Sequence, residues 1–508
     1  MRFLKTLAVL ATVLALARPA AAQERMKAEE VIVAFAAEPR TLVPNTIVDW
    51  TTNNMIEHMY DRLVDRDPKT YKPIPMLATS WKVVDGTTWE FTLRSGVKFH
   101  NGETFDAQSV KATMDYIKDP ANKTHYAPRW TLVREVQIVD PHTVRFITEK
   151  PWPGLIDRIS LGDVLMMPPK ALKADGAKGL LAKPAGTRPF KFAEWVRDEK
   201  LVVVRNDDYW KGKGELKKVT FRFIPEFSAR LAALLAGEID IMKDVPPHAV
   251  DLVDRSGKAT VRATVSSRIN YLALVTLKPG PMQDIRVRQA IAQAINVDEL
   301  IQSVLRGRAS KLCGPLSPIN VDFSPKVQCL KYDVAHAKNL LKAANIDPGK
   351  LTLTLDTPSG RYPLDKDISQ AIAAQLGRIG ITVNVVVNEW GTHLDKIKNR
   401  TTGDMFFLGW GPALDAQGTI EQLFQGSMTY SSYGGNKALE DKIQTAVTIV
   451  DPQKRQAAWA ELQQLVAAEV PWVFLWQQHD LYGAANWVDW QPRADEKVWM
   501  FEARFTPR

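Results

Sequence analysis

Histidine spacing is a direct sequence sign of metal binding or acid–base catalysis, and in this chain it favours neither. His58, His100, His125, His142, His248, His336, His393 and His479 are scattered, and none has another histidine three or four positions away, the spacing that sets two side chains on one helix face. The H-E-x-x-H metal motif, the G-x-S-x-G nucleophile elbow and the G-x-x-x-x-G-K-S/T phosphate loop are all missing from the sequence. Lys211-Gly212-Lys213-Gly214 has the residue types of the phosphate loop without its spacing and reads as a solvated turn. Asp and Glu together number 57, so a carboxylate pair suited to hydrolysis can be neither named nor excluded by inspection. Cys313 and Cys329 are the two cysteines, 16 positions apart. In an oxidising compartment they can close a loop that stabilises the fold by about 3 kcal/mol; elsewhere they stay as thiols. Neither has a second Cys or His at ligand spacing, so the reading includes no metal and no cofactor.

The N-terminus points to such a compartment. Arg2 and Lys5 precede an apolar run from Leu7 to Ala17, and Ala20-Ala21-Ala22 then gives a small-residue cleavage pattern. That is the order of a secretory leader spanning residues 1–22, too short for the roughly 20 apolar residues of a membrane span. No Cys follows Ala22, so the expected mature chain from Gln23 is exported, soluble and without a lipid anchor. The formal net charge is +9, of which Arg2, Lys5 and Arg18 contribute three, leaving +6. Spread over so long a chain, with no arginine-rich run, this excludes nucleic acid as the expected partner. With 45% hydrophobic and 24% charged residues among 508, the composition is that of a globular protein with two or three domains.

The elements that must position any site change character along the chain. In the first half Val31, Val33 and Phe35 alternate, as do Trp89, Phe91 and Leu93, with Asp85-Gly86 and Asn101-Gly102 marking turns. Leu231, Leu234, Leu235 and Ile239 follow helical spacing, and so do Val287, Ile291, Ala294 and Ile295 after a break at Pro279-Gly280-Pro281. Further on, Leu351, Leu353 and Leu355 alternate, Ile368, Ile372, Leu376 and Ile379 share a helix face, and Ile381, Val383, Val385 and Val387 alternate again. This pattern predicts a strand–helix–strand unit with parallel strands. A mixed α/β lobe therefore follows a strand-rich one.

Longer motifs are more specific. Tyr60-Asp61-Arg62-Leu63-Val64, Pro75-Met76-Leu77-Ala78-Thr79-Ser80-Trp81 and the run from Asp85 to Gly102 resemble the extracytoplasmic solute-binding proteins of the peptide/nickel/opine class that serve ATP-driven (ABC) importers. Glu38-Pro39-Arg40-Thr41-Leu42-Val43-Pro44, Arg205-Asn206-Asp207-Asp208-Tyr209-Trp210, Asp284-Ile285-Arg286-Val287-Arg288-Gln289-Ala290 and Gly409-Trp410 resemble further segments of that family, in family order. Most of these residues are scaffold; Trp81, Trp89 and Phe91 read as core.

The resemblance implies an α/β, two-lobed periplasmic-binding-protein fold of the type II-like, large cluster C kind, with mixed sheets and a hinge. It divides the chain into lobe one at residues 23–278, with an extra subdomain at about 60–185, lobe two at 279–479, and a C-terminal return to lobe one at 480–508. The ligand would be enclosed between the lobes. Arg361-Tyr362-Pro363 stands where dipeptide-binding relatives carry an Arg that pairs with the peptide carboxylate, which a planar guanidinium can grip with two bonds. Those relatives place an Asp for the ligand ammonium four residues after the Gly of Gly-Trp. Here that position is Ala413, and Asp415 could replace it only with the loop redrawn around Pro412. Trp50, Trp390 and Trp410 fall at strand ends or loops that face the cleft in relatives, and aromatic faces suit peptide or sugar planes. The reading is a monomeric periplasmic binding protein that takes a peptide-like, opine-like or glycoside solute and delivers it to permease subunits. The alternative is an exported hydrolase on the same scaffold, which requires a nucleophile–base or carboxylate pair in the cleft.

Overall fold

The computed structural model describes residues 20–162, 164–411 and 414–506. The expected leader therefore lies almost wholly outside the described residues, as do Pro412 and Ala413. Among the described residues, no helix is long and apolar enough to cross a membrane.

One mixed sheet of eleven strands runs through the molecule. Its middle is a pair of long antiparallel strands, Ala259–Leu274 and Trp472–Ala485, and these belong to both halves. Toward one end, Ile241–Met242 pairs with Gly483 and Ala484, and Glu30–Phe35, Lys218–Phe223, Lys200–Arg205 and Phe190–Val196 follow in order. Toward the other, Ile269–Leu274 pairs with Met405–Trp410, which leads to Thr352–Pro358 and the edge strand Thr382–Asn388. The register of the two long strands slips between Val265 and Ile269 and again between Asn270 and Tyr271. The chain thus pairs with Met405–Trp410 from Ile269 onward, ahead of the Pro279-Gly280-Pro281 break. Proline and glycine at 279–281 mark the loop before the helix Ile285–Ala294, whereas the change of partners falls inside a strand that carries no breaker residue.

The expected strand–helix–strand unit is present. Thr352–Pro358 and Thr382–Asn388 are parallel, with Leu353 opposite Val383 and Leu355 opposite Val385. The helix Asp365–Gly377 between them buries Ile368, Ile372 and Leu376, the face that the spacing marks out. Val387 is exposed, in keeping with an edge strand that has one side uncovered.

A separate four-stranded antiparallel sheet, built from Ala78–Asp85, Thr88–Leu93, Thr143–Thr148 and Val133–Asp140, lies within the region read as an extra subdomain. Phe91 is fully buried there, while Trp81 and Trp89 pack half-buried against the same core. Helix Ala107–Lys118 covers this sheet, a helix that strand alternation did not predict. Its start is nonetheless marked by a capping box in which Asp106 accepts from the amides of Gln108 and Ser109. Cys313 and Cys329 form a disulfide.

Candidate functional site

A cavity of about 80 Å³ lies where the two halves of the sheet meet. Two short helices and a strand end supply its aromatic walls. Trp50 opens the helix Trp50–Ile56, whose N-cap is Asp49. Trp390 opens the helix Trp390–Lys398, capped by Glu389. Trp410 ends the strand Met405–Trp410. The sequence reading gave strand ends or loops for all three; Trp50 and Trp390 instead sit at helix starts, because the residue before each is a carboxylate that caps the first turn. Tyr126, Tyr362 and Tyr430 complete the aromatic lining.

The charges in the cavity wall are unequal: Arg129, Arg158, Arg268 and Arg361 face a single described carboxylate, Asp49. That carboxylate is already occupied. One oxygen accepts from the Thr52 amide at 2.9 Å and its hydroxyl at 2.6 Å, and the other accepts from Trp390 Nε1 at 3.3 Å.

Arg268 is occupied too. It is 2% exposed and forms a two-pronged pair with Glu496, with Nη2 to Oε2 at 2.7 Å, while Nη1 donates to the Gly409 carbonyl at 2.7 Å. Burial works against both charges, yet the pairing prevails: Glu496 holds Arg268 above its usual range, and Arg268, with Lys243 behind it, lowers Glu496 to about 2. Arg129 donates to Gln422 at 3.1 Å and lies 5.9 Å from the Trp410 ring centre.

Arg361 differs. Its guanidinium carbon lies 4.8 Å from the Tyr362 ring centre and 5.1 Å from that of Trp390. Among the described residues it has no ion pair, and its buried Nε has no hydrogen-bond partner. Tyr362 is held in place by its hydroxyl, which donates to the Gly409 carbonyl at 3.0 Å, and burial raises its pKa. Among the described residues, Arg361 is therefore a cation without an ion pair, beside two aromatic rings. Trp50 Nε1, also buried, is a second donor without a partner.

Asp415 does not join this group. It is 4% exposed, but one of its oxygens accepts from the Gly418 amide at 2.6 Å and the other lies 3.9 Å from Arg66, which pairs with Asp157 at 3.0 Å. Asp415 is not among the described residues that line the cavity, and the loop at 412–413 on which its expected contact with a ligand ammonium depended lies outside the described residues. Ala413 itself lies outside the described residues. Sequence reasoning missed Asp49, Arg129, Arg158, Arg268, Tyr126 and Tyr430. Of these, Arg268 carries a legible signal, since an arginine within the run Ser266-Ser267-Arg268-Ile269-Asn270-Tyr271 must be buried with a partner once that run is a central strand.

The two sides of the cavity also touch each other. Besides the bond from Trp390 to Asp49, the Tyr430 hydroxyl donates to the Val48 carbonyl at 3.2 Å and Trp152 Nε1 donates to Gln417 Oε1 at 2.9 Å. Among the described lining residues there is no nucleophile–base pair and no second carboxylate, the features that the hydrolase alternative required.

A model of bacterial extracellular solute-binding proteins, family 5 (middle region), matches residues 72–431. The chain belongs to that family. Family 5 proteins bind solutes outside the cytoplasm, and this chain is a substrate-binding protein of the ABC-importer type. It is 27% identical to the glutathione-binding protein GsiB of Pectobacterium atrosepticum over 461 residues, 88% of each chain. Its fold is similar to that of the periplasmic binding protein DppA of Helicobacter pylori in complex with the peptide STSA, at a TM-score of 0.86 and 27% identity, covering 94% of this chain and 98% of that one. It also superposes on the binding protein AgaA from A. tumefaciens R10 in complex with agropinic acid, at a TM-score of 0.85 and 24% identity over 94% and 99% of the two chains, a likeness of fold. The two-lobed architecture expected from the motifs is thus shared with these binding proteins.

Proposed function

We propose that this family 5 protein captures a net-anionic solute, peptide-like or opine-like and bearing at least one carboxylate, between its halves in the periplasm and delivers it as a monomer to the permease of an ABC importer. The observation that carries this reading is Arg361, an unpaired guanidinium beside Tyr362 and Trp390. A carboxylate there would complete a charge-assisted, two-pronged pair. Trp50, Trp390 and Trp410 would bound the rest of the solute. Asp49 is engaged by Thr52 and Trp390, so a ligand ammonium has no free counter-charge among the described lining residues, and burying one unpaired costs several kcal/mol. A zwitterion held by both termini therefore fits less well than an acid in excess of carboxylate. Of the relatives' printed ligands, glutathione and agropinic acid bear carboxylates, and the peptide STSA bears one together with an ammonium.

The same proposal places the lobe boundary at the partner change, near Ser266–Arg268 on one strand and Gln477–Gln478 on the other, and a leader at residues 1–22. Arg25, in the expected mature chain, pairs with buried Asp240 at 2.9 Å.

The test is thermal unfolding of residues 23–508 with glutathione, agropinic acid, zwitterionic dipeptides, oligosaccharides and nickel chelates. A ligand at about 1,000 times its Kd stabilises the bound form by roughly 4 kcal/mol. The expected result is a raised midpoint with carboxylate-rich solutes, recovered intact, and no rise in Arg361→Ala. A midpoint raised only by neutral sugars, or equally in Arg361→Ala, removes the anion contact from the account.

A further inference from the structure

Arg361 and Tyr362 lie on a tight connection between the strand Thr352–Pro358 and the helix Asp365–Gly377. Two of its residues have left-handed backbone, Gly360 at φ +75° and Leu364 at φ +56°. For leucine that conformation is unfavourable and persists only where its surroundings impose it. The agent is the carboxylate of Asp365, the first residue of the helix and 3% exposed. One oxygen accepts from the Gly360 amide at 3.1 Å and the Lys366 amide at 2.9 Å; the other accepts from the Arg361 amide at 2.9 Å and the Tyr362 amide at 3.0 Å. Among the described residues no cation pairs with this carboxylate, so four amide dipoles alone hold the buried charge.

We infer that Asp365 is the positioning residue for the anion site: it gathers three successive amides of the loop onto one carboxylate and so fixes where Arg361 and Tyr362 leave the backbone. The inference rests on the reading of Arg361 as the anion contact. An arginine with no ion pair of its own would otherwise sample many rotamers, and a ligand would bear the cost of ordering it. Here the backbone is pinned from within and the guanidinium rests between two rings, so that cost is met in the free protein. Only a carboxylate has the acceptor capacity required. Asparagine is close in volume but would turn an NH2 group toward two of the four amides.

The experiment combines amide hydrogen exchange with a double-mutant cycle, using glutathione as the probe in titration calorimetry. Asp365→Asn is expected to fold, to speed exchange at Gly360, Arg361 and Tyr362 by tenfold or more, and to leave Thr352–Pro358 and the second half of the helix within twofold. Its glutathione affinity should fall tenfold or more in the wild-type background and not fall further when combined with Arg361→Ala. Unchanged exchange at the three amides overturns the inference, as does faster exchange spread over the whole helix, or an equal affinity loss in both backgrounds. Should glutathione fail to bind the wild type, or bind Arg361→Ala unchanged, the anion contact itself falls, and the exchange data alone decide whether Asp365 fixes the loop.

Discussion

Replacing Glu496 by glutamine should be among the most damaging single changes available near the cavity. Both members of the Arg268–Glu496 pair are 2% exposed, so Glu496→Gln leaves a guanidinium buried with no counter-charge. Removing one partner of a buried pair typically costs about 3–5 kcal/mol. The acid–base behaviour of Glu496 has the same sign: burial works to raise its pKa, yet Arg268 and Lys243 hold it below the usual carboxylate range. Calorimetric unfolding should show a midpoint lower by several degrees. The sign with pH also follows. Because the folded pKa is depressed, the pair's contribution is complete above about pH 4.5 and is lost as pH falls toward 2. Glu496→Gln should therefore flatten the stability profile in that window. The companion variant, Arg268→Met with Glu496→Leu, removes both charges and should recover most of the loss, short of about 1 kcal/mol for the Ser266 hydroxyl that loses Glu496 as its acceptor, while the Gly409 carbonyl keeps the Tyr362 hydroxyl as donor. A loss under about 1 kcal/mol for Glu496→Gln, or a double variant as unstable as the sum of the single changes, would refute the reasoning.

Three further outcomes are expected. His58 is buried neutral, donating from Nδ1 to the Asn54 carbonyl and accepting the Met500 amide on Nε2, and burial, aided by Arg188, lowers its pKa to about 4. Its contribution is thus present above pH 6.5 and lost as pH falls toward 4, up to about 3 kcal/mol; His58→Gln should remove that slope from stability measured across pH 7 to 4, and an unchanged slope would dismiss the assignment. Reducing the Cys313–Cys329 bridge, which closes a separation of 16 residues, should cost about 3 kcal/mol while sparing the cavity; a thermal midpoint indifferent to dithiothreitol would contradict this. Trp390→Phe keeps the ring beside Arg361 but deletes the bond to Asp49, about 1.5 kcal/mol for a charged acceptor, so small-angle scattering of the unliganded protein should show a more open average, and an unchanged radius of gyration would deny that this bond holds the halves together.

Much of this architecture is written in local patterns. The unit at 351–387 was legible because Leu353, Leu355, Ile368, Ile372 and Leu376 repeat with the periods of their elements and are all buried. Helix Ala107–Lys118 was overlooked although Asp106 and Ser109 announce its start, since neighbouring alternation drew the whole region toward strands. The site was legible only where motif resemblance reached it. Arg361, Tyr362 and the three tryptophans line the cavity, whereas Asp415 does not, because its direction depends on a cap and a turn that spacing alone does not encode. Glu496 stands 228 residues from Arg268, and no local period relates them. The partner change inside Ala259–Leu274 is equally silent, since both halves of that strand continue the same sheet.

Those two long strands have a consequence for the order in which the molecule can be assembled. Leu481–Ala485 lies between Ile241–Met242 and the first part of Ala259–Leu274, and the helix Trp50–Ile56 is tied down through Asn54 to Glu496 and Val498. The N-terminal half, made first, is therefore completed last: its sheet has a vacant lane until the final residues arrive, while the inserted half can finish earlier. A chain emerging from its N-terminus cannot lock prematurely into its final shape, and truncation near the C-terminus should unpick the beginning of the protein before the middle.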